Sequence, residues 1–538
     1  MHVRPARRTT IAALALTASG IGALAIAQSV TGGLERFWGA KYAPLTTDAT
    51  AARASTTARS VEPSPDAATL ANERRPGRPV PFDARSRLVH WNSIAIDASG
   101  VDHTPVAPGE NRIFGEQLGP GRASRAMAIV HIAIFDAVNA IFNEWQSYTN
   151  IPPAPPGASV DAAIAQAAHD TLASLFPSQT KALNAALNDD LARLTSRGQD
   201  GGRQEAGRRV GRRAAAAILA LRKHDGSERP EPRLGVDFFP SDQPGKWRQD
   251  PVSQIPVALG AYWGQVKPFV IESGKSFRVP PPPALTSRAY AAAFEEVKRL
   301  GGDGTTTPTE RTEDQTFTGI YWAYDGTPSL CAPPRLYNQI TITIAAQMGS
   351  DFFELTRLLA LVNVAMADSG IAIWESKYFY QLWRPVTGIR EADRGTGPTG
   401  LGDGNRATVG DPTFLPLGAP ASNLTGPDFT PPFPAYPSGH AGFGGALFEV
   451  LRQFYRTDDI AFTFTSDEFN GMTRGHDGVR PLRPRSFTSL SQAEEENGQS
   501  RIYLGIHWSF DKTQGIQQGR RVARFVIRNA FGVRNLRF

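Results

Sequence analysis

The chain has 538 residues, of which 41% are hydrophobic and 20% charged, and a formal net charge of +6. That is the make-up of a globular protein with room for two large helical units or one big domain. Its arginines are scattered and do not interleave with aromatics, which argues against a nucleic-acid partner, and its one cysteine, Cys331, excludes an intramolecular disulfide and a thiolate-built metal site.

Residues 1–27 read as an export signal. Arg4, Arg7 and Arg8 make a basic start, Ile11 to Ala27 is apolar, and Ala25-Ile26-Ala27 offers a small-residue cleavage site. Arg7-Arg8 hints at twin-arginine export to the periplasm or the medium, and an uncleaved anchor is the alternative. No further apolar run reaches the roughly 18 residues of a membrane span. Residues 28–85, rich in Ala, Thr, Ser, Arg and Pro, read as a flexible linker.

Beyond the linker, helical periodicity dominates. Ser124–Ile141 is nearly all apolar and reads as a buried central helix. Val160–Phe176 and Ser178–Leu194 form a helix pair, and Gln204–Lys223 an amphipathic helix. Residues 225–285 are rich in Pro, Gly and aromatics and read as a long irregular connection over the surface. Helices resume at Ser287–Leu300, Thr309–Tyr324, Arg335–Met348 and Asp351–Trp383, the last with Asp351 and Glu354 as a capping pair. Loop follows to residue 436, then a Ser438-capped helix to about Tyr455, a helix capped near Ser489 and a terminal helix to about Asn529. The fold class is mainly α, divided as 86–285 and 286–538.

Three short blocks carry chemistry. Lys377 and Arg384-Pro385 lie in KYFYQLWRP, Ser438-Gly439-His440 in AYPSGHAGFGG, and Ser500-Arg501 with His507 in SRIYLGIHWSFD. They supply three cations, a hydroxyl, a glycine amide at a helix start and two imidazoles, an inventory suited to enclosing an oxyanion. Seven residues turn an ideal helix by about 700°, so Lys377 and Arg384 would share one face of a helix that stops at Pro385. Six residues turn about 600°, so Arg501 and His507 need a break near Gly505. Asp511, four residues beyond His507, lies where a carboxylate could accept the imidazole N–H. Cys331 reads as a small residue at a Pro-Pro turn, and His131 and the remaining histidines as structural or surface groups.

Taken together and in this order, the blocks K-x6-RP, PSGH and SR-x5-H resemble the vanadium-dependent haloperoxidases, relatives of the type 2 phosphatidic acid phosphatases. The likeness spans roughly residues 351–511 and is nearest to the chloroperoxidase-like branch. The 59 residues between PSGH and SR are long for the pattern and imply a surface insertion. The resemblance implies two packed helical bundles with the oxyanion site in the C-terminal one. It implies vanadate held by Lys377, Arg384, Ser438, Gly439 and Arg501, with His507 as the single vanadium ligand. Lys377, His440 and His507 would be the catalytic groups, His440 as acid/base. Asp368 would orient Arg384 and Arg501, and Trp374 and Phe433 would line the halide side.

The function implied is oxidation of bromide, and of chloride, by hydrogen peroxide to hypohalous acid, with a small organic molecule as the final acceptor. The alternative is an exported acid phosphatase in which His507 is the nucleophile and His440 the acid. Halide preference, organic substrate and oligomeric state are not legible in the residues.

Overall fold

The structure is a computed structural model that describes residues 33–45 and 84–533. The stretch read as an export signal, and most of that read as linker, lie outside the described residues. The first bundle is built from α1 (Ala84–Asp102), α2 (Gly119–Phe142), α3 (Val160–Leu175), α4 (Thr180–Ser196) and α5 (Gly201–Arg222). Its α3 and α5 lie almost backbone to backbone. A Cβ added at Gly207 would stand 2.1 Å from the Ser159 carbonyl, and one at Gly211 2.5 Å from that of Ala163. Arg87 of α1 is held by buried carboxylates on two other helices, Nη1 to Asp161 at 2.6 Å and Nη2 to Asp190 at 2.8 Å.

A second set follows: α6 (Arg288–Leu300), α7 (Glu313–Tyr321), α8 (Pro333–Gln347), α9 (Phe352–Tyr380), α10 (Pro385–Arg390), α11 (Gly439–Tyr455), α12 (Leu490–Tyr503) and α13 (Ser509–Asn529). Here α11 packs on α13 and α12, and α9 packs on α11 and α13 as well as on α2. One apolar core therefore runs through α2 and α9 and joins the two bundles. Both helices are long and apolar enough to cross a bilayer, but their most apolar stretches are 83% and 94% buried inside the protein, as core helices are. The mainly α character is as the periodicity implied and the two packed bundles are as the resemblance implied, and Asp351 and Glu354 do form a capping box on α9.

Three local expectations are overturned. Residues 33–45 are not flexible linker: residues 33–38 are helical, and Ala43–Pro44 (β1) pair antiparallel with Leu424–Thr425 (β2). The aromatic trio Phe37, Trp38 and Tyr42 gives this stretch apolar surface to bury, and Trp38 is 1% exposed. The connection 225–285 does not merely cover the surface, because Trp247, Ile255, Trp263 and Val279 are all buried. Finally, α9 ends at Tyr380, where Gln381 takes up left-handed φ/ψ of 53° and 40°, so Lys377 and Arg384 do not share a helix face. Arg384 instead precedes α10 in extended backbone.

Between α11 and α12, residues 456–489 form the insertion that the long PSGH-to-SR spacing implied. Within it, Phe462–Phe464 (β3) pair with Arg485–Phe487 (β6), and Arg474–Gly475 (β4) with Gly478–Val479 (β5). It is not the surface feature expected: Phe462, Phe464, Phe469 and Phe487 are buried, so the insertion is part of the core.

The closest approach in the second bundle is also glycine-made. A Cβ at Gly519 of α13 would lie 2.0 Å from the Gly442 carbonyl of α11. Gly519→Ala must push these helices apart and is expected to destabilise the protein by about 1–3 kcal/mol. Gly201→Ala, where a Cβ meets nothing within 4 Å, is the control, and urea unfolding of both variants is the check.

Candidate active site

The three sequence blocks converge where the C-terminal end of α9, the N-terminus of α11 and the α12–α13 link meet. Lys377 lies on the last turns of α9 and is fully buried. Its ammonium donates to the carbonyls of Pro434 and Ala435 at 2.8 and 2.9 Å. Burial, and next the Arg384 charge, pushes its pKa well below the ordinary lysine value.

Arg384 arrives from the turn after α9. It donates to the carbonyls of Phe433 and Ile506 at 2.8 Å and of Pro431 at 3.3 Å. Its Nη1 also contacts His507 Nε2 at 2.9 Å. Burial lowers this guanidinium to about 9.

A guanidinium can only donate, so His507 Nε2 is an acceptor and Nδ1 carries the ring proton. Nδ1 accordingly donates to Asp511 Oδ2 at 2.8 Å. That pair fixes the tautomer and leaves the Nε2 lone pair directed at the cation cluster, the arrangement of a metal-ligating imidazole. The break required between Arg501 and His507 is present: α12 ends at Tyr503, and Gly505 has φ +72°. A side chain there would meet the Gly301 carbonyl at 2.4 Å as well, so Gly505 is required twice over. Asp511 is raised to about 7 by its burial.

Ser438 caps α11, its Oγ accepting from Ala441 N at 3.4 Å, and Gly439 opens the helix. His440, one residue on, donates Nε2–H to the Ala323 carbonyl, which can only accept, so Nδ1 is unprotonated. Burial, followed by the Arg501 charge, drives His440 well below the ordinary histidine value. Tyr337 Oη and Asn497 Nδ2 hold the His440 carbonyl at 2.9 and 3.0 Å and so fix this end of α11.

Arg501 makes a two-pronged pair from Nη2 to Asp325 at 2.7 and 2.8 Å. Its Nε and Nη1 are buried with no partner. Orphaned guanidinium donors beside a lysine and a second arginine are the signature of a site built for an anion. Among the described residues no group of three or more His, Cys, Asp or Glu could hold a metal cation. The donor set therefore fits a metal only in oxyanion form, with Nε2 of His507 as the one lone pair offered.

Asp325 is the functional residue that sequence reasoning missed. It is the counter-charge of Arg501, and its Oδ1 lies 4.0 Å from His440 Nε2. An Asp-Gly pair reads as a turn, and nothing in its spacing singles it out. The role expected of Asp368 is overturned. Its carboxylate accepts the backbone N–H groups of Phe269, Val270 and Ile271 at 2.6, 2.8 and 2.9 Å and touches neither arginine. It clamps the inter-bundle connection onto α9, and burial raises it to about 6. Trp374 and Phe433 do line the pocket, their rings 5.0 Å apart between centroids. Phe433 also lies 5.0 Å from the Lys377 ammonium and 4.9 Å from the Arg384 guanidinium.

Comparison with known proteins places the chain in a family. The family model of the VCPO second helical-bundle domain matches residues 357–535. Vanadium chloroperoxidase of Curvularia inaequalis is 30% identical over 506 residues, spanning 79% of this chain and 78% of that protein. The structure of a bacterial vanadium-dependent iodoperoxidase superposes with a TM-score of 0.66 at 22% identity, covering 86% of this chain and all of that one. A bacterial vanadium-dependent chloroperoxidase, in its apo form, gives 0.54 at 18% identity over 76% of this chain and 93% of its own. With the fold, the three motif blocks and a relative of this identity and coverage in agreement, the chain belongs to the vanadium-dependent haloperoxidase family.

Proposed function

We propose that this protein is a vanadate-dependent haloperoxidase that converts hydrogen peroxide, a halide and a proton into hypohalous acid and water. The observation that carries the reading is the unfilled donor set of Arg501 in the same pocket as His507, whose Nε2 accepts from Arg384. Vanadate, when bound, supplies a Lewis-acidic centre that makes peroxide an oxidant toward halide.

The protein's share is charge and protons. Lys377, Arg384 and Arg501 neutralise the oxyanion, and Ser438 and the Gly439 amide add neutral donors. Nε2 of His507 is the ligating atom, presented by the Asp511 pair. Arg384 Nη1, which donates to that Nε2, would have to release it for an oxyanion to be held there. His440, neutral and with Nδ1 unprotonated, accepts the proton that peroxide gives up. The incoming negative charge offsets the cations that depress its basicity. The aromatic pair Trp374 and Phe433 supports chloride as well as bromide as the halide. The basic-then-apolar residues 1–27 support an exported enzyme.

The deciding experiment is a halogenation assay on phosphate-free protein with peroxide and bromide, then chloride, with and without vanadate. Vanadate-dependent turnover is expected, with loss to background in His507→Ala. No halogenation, together with vanadate-inhibited hydrolysis of a phosphate monoester, would reassign the site to phosphoryl transfer.

Asp511→Ala frees the His507 ring and is expected to weaken vanadate binding by about 10–100-fold, read by equilibrium dialysis. The cations add a pH dependence. Lys377 is pushed well below its ordinary value in the anion-free site. An oxyanion favours its charged form, so binding takes up a proton wherever the free lysine is neutral. Affinity should therefore fall as pH rises through that range. Calorimetry in buffers of different ionisation enthalpy should show the proton uptake, and Lys377→Met should abolish it.

A further inference from the structure

The long helix α2 begins without a cap. Its N-cap residue is Leu118, no side chain closes the end, and its first turn carries no acid. The positive end of the helix is therefore left open. Gly119 N–H donates to His103 Nε2 at 2.9 Å, and Pro120 has no N–H to give. Gly121 N–H is the amide left over, and among the described residues no backbone carbonyl takes it.

A small niche faces this end of α2, with Leu118, Leu259 and Trp374 as its apolar walls. Neither Lys377, Arg384, Arg501 nor His507 lines it, so its free room of about 10 Å³ is separate from the oxyanion cradle. That room suits one water-sized species. Trp263 also lines the niche, is 4% exposed, and has a buried Nε1–H with no partner. A Cβ at Gly121 would stand 2.8 Å from that nitrogen, so the orphan indole donor and the leftover amide lie side by side. The other indole there, Trp374, spends its N–H on the Leu259 carbonyl at 3.1 Å.

The charged groups at the niche are Arg122 and Glu231. The Arg122 guanidinium lies 5.5 Å from the centroid of the Trp263 ring. Glu231 is already engaged on both oxygens, Oε1 by Arg122 Nη1 and Oε2 by Gly260 N. What the niche still offers is donors, the positive end of a helix and apolar walls. A water placed there must turn its hydrogens toward groups already engaged, whereas a monoatomic anion needs only donors.

We infer that this niche is a structural halide site that takes one chloride or bromide ion from Trp263 Nε1–H and Gly121 N–H. The ion joins α2 to the connection 225–285 against Trp374 of α9, at the seam between the two bundles. It takes no part in turnover, so the inference stands apart from the haloperoxidase reading.

The test uses the full chain in three readouts. Crystals grown in bromide should show an anomalous bromine peak within hydrogen-bond distance of Trp263 Nε1. In solution, with vanadate present to fill the oxyanion cradle, the chlorine-35 NMR line of chloride should be broadened by the wild type. Trp263→Phe and Arg122→Gln should each weaken that binding by about 10–100-fold. Arg122→Gln guards against misfolding of the first variant, because its side chain is 15% exposed at the edge of the niche. At fixed ionic strength the thermal midpoint of the wild type should rise with the logarithm of chloride concentration, and those of the variants should not. A bromide map with a water or nothing in the niche overturns the inference. So does a peak without line broadening, which is binding at crystal concentration only. Broadening that vanadate abolishes, or that both variants retain in full, overturns it as well.

Discussion

Lys377, Arg384 and Arg501 are buried together, and the carboxylates that offset them, Asp325 and Asp511 with Asp250 acting on Arg384, leave the cluster short of direct ion pairs. Buried charges without partners cost several kcal/mol each, so the fold must supply compensation from elsewhere. It does so with backbone carbonyls. Those of Pro431, Phe433, Pro434 and Ala435, together with Ile506, accept from Lys377 and Arg384. Carbonyls inside a helix are already occupied by their own amides. The segment before α11 therefore has to be irregular, and its prolines, which carry no N–H, leave it rich in acceptors. The dipoles hold the cations in place without cancelling their charge, and the surplus remains available to an anion.

The same constraint explains the scaffold. Carbonyls that compensate buried charge must not move, and the loop is fixed at separate points by distant parts of the chain. Ser438 N donates to the Asp511 carbonyl of α13, and Ala435 N to that of Leu382. The glycine-lined contact between α11 and α13 then sets the distance between Ser438 and His507. Asp368 serves the arrangement from farther off, by locking residues 269–271 to α9. Its three amide partners make it a structural carboxylate, and its burial needs no cation to explain it.

What was legible in the residues follows from how local each signal is. The long helices announce themselves by periodicity, and the three motif blocks are each a few residues long. His507 and Asp511 are only four residues apart, so their pairing could be read directly. Asp368 was assigned to the site arginines by resemblance alone, but its partners lie about a hundred residues away and no spacing encodes that. The end of α9 was misplaced because its left-handed residue is Gln381, not the glycine that marks such a stop. The ordered stretch 33–45 was missed because three aromatics in a segment rich in Ala, Thr and Arg are too few to register as a helix or strand. Their burial is decided by the distant Phe429.

Asp325 shows how far the support of a single carboxylate can extend. The residue before it, Tyr324, has φ +46°, an uncommon conformation for an aromatic residue that surrounding contacts must impose. Its hydroxyl accepts from Asp467 N at 2.6 Å and donates to Gln339 at 3.0 Å. Its backbone N–H reaches Glu468 at 3.4 Å. Glu468 in turn accepts from Ser422 at 2.6 Å and from Arg480 at 2.5 Å. Asp467, Glu468 and Arg480 all belong to the insertion between α11 and α12. The insertion therefore fixes the backbone that aims Asp325, and Asp325 leaves Arg501 with one edge paired and the other open. Were Arg501 paired on both edges, its charge would be satisfied by protein alone. The half-paired state, held in place through the insertion, is what keeps the site an anion receptor.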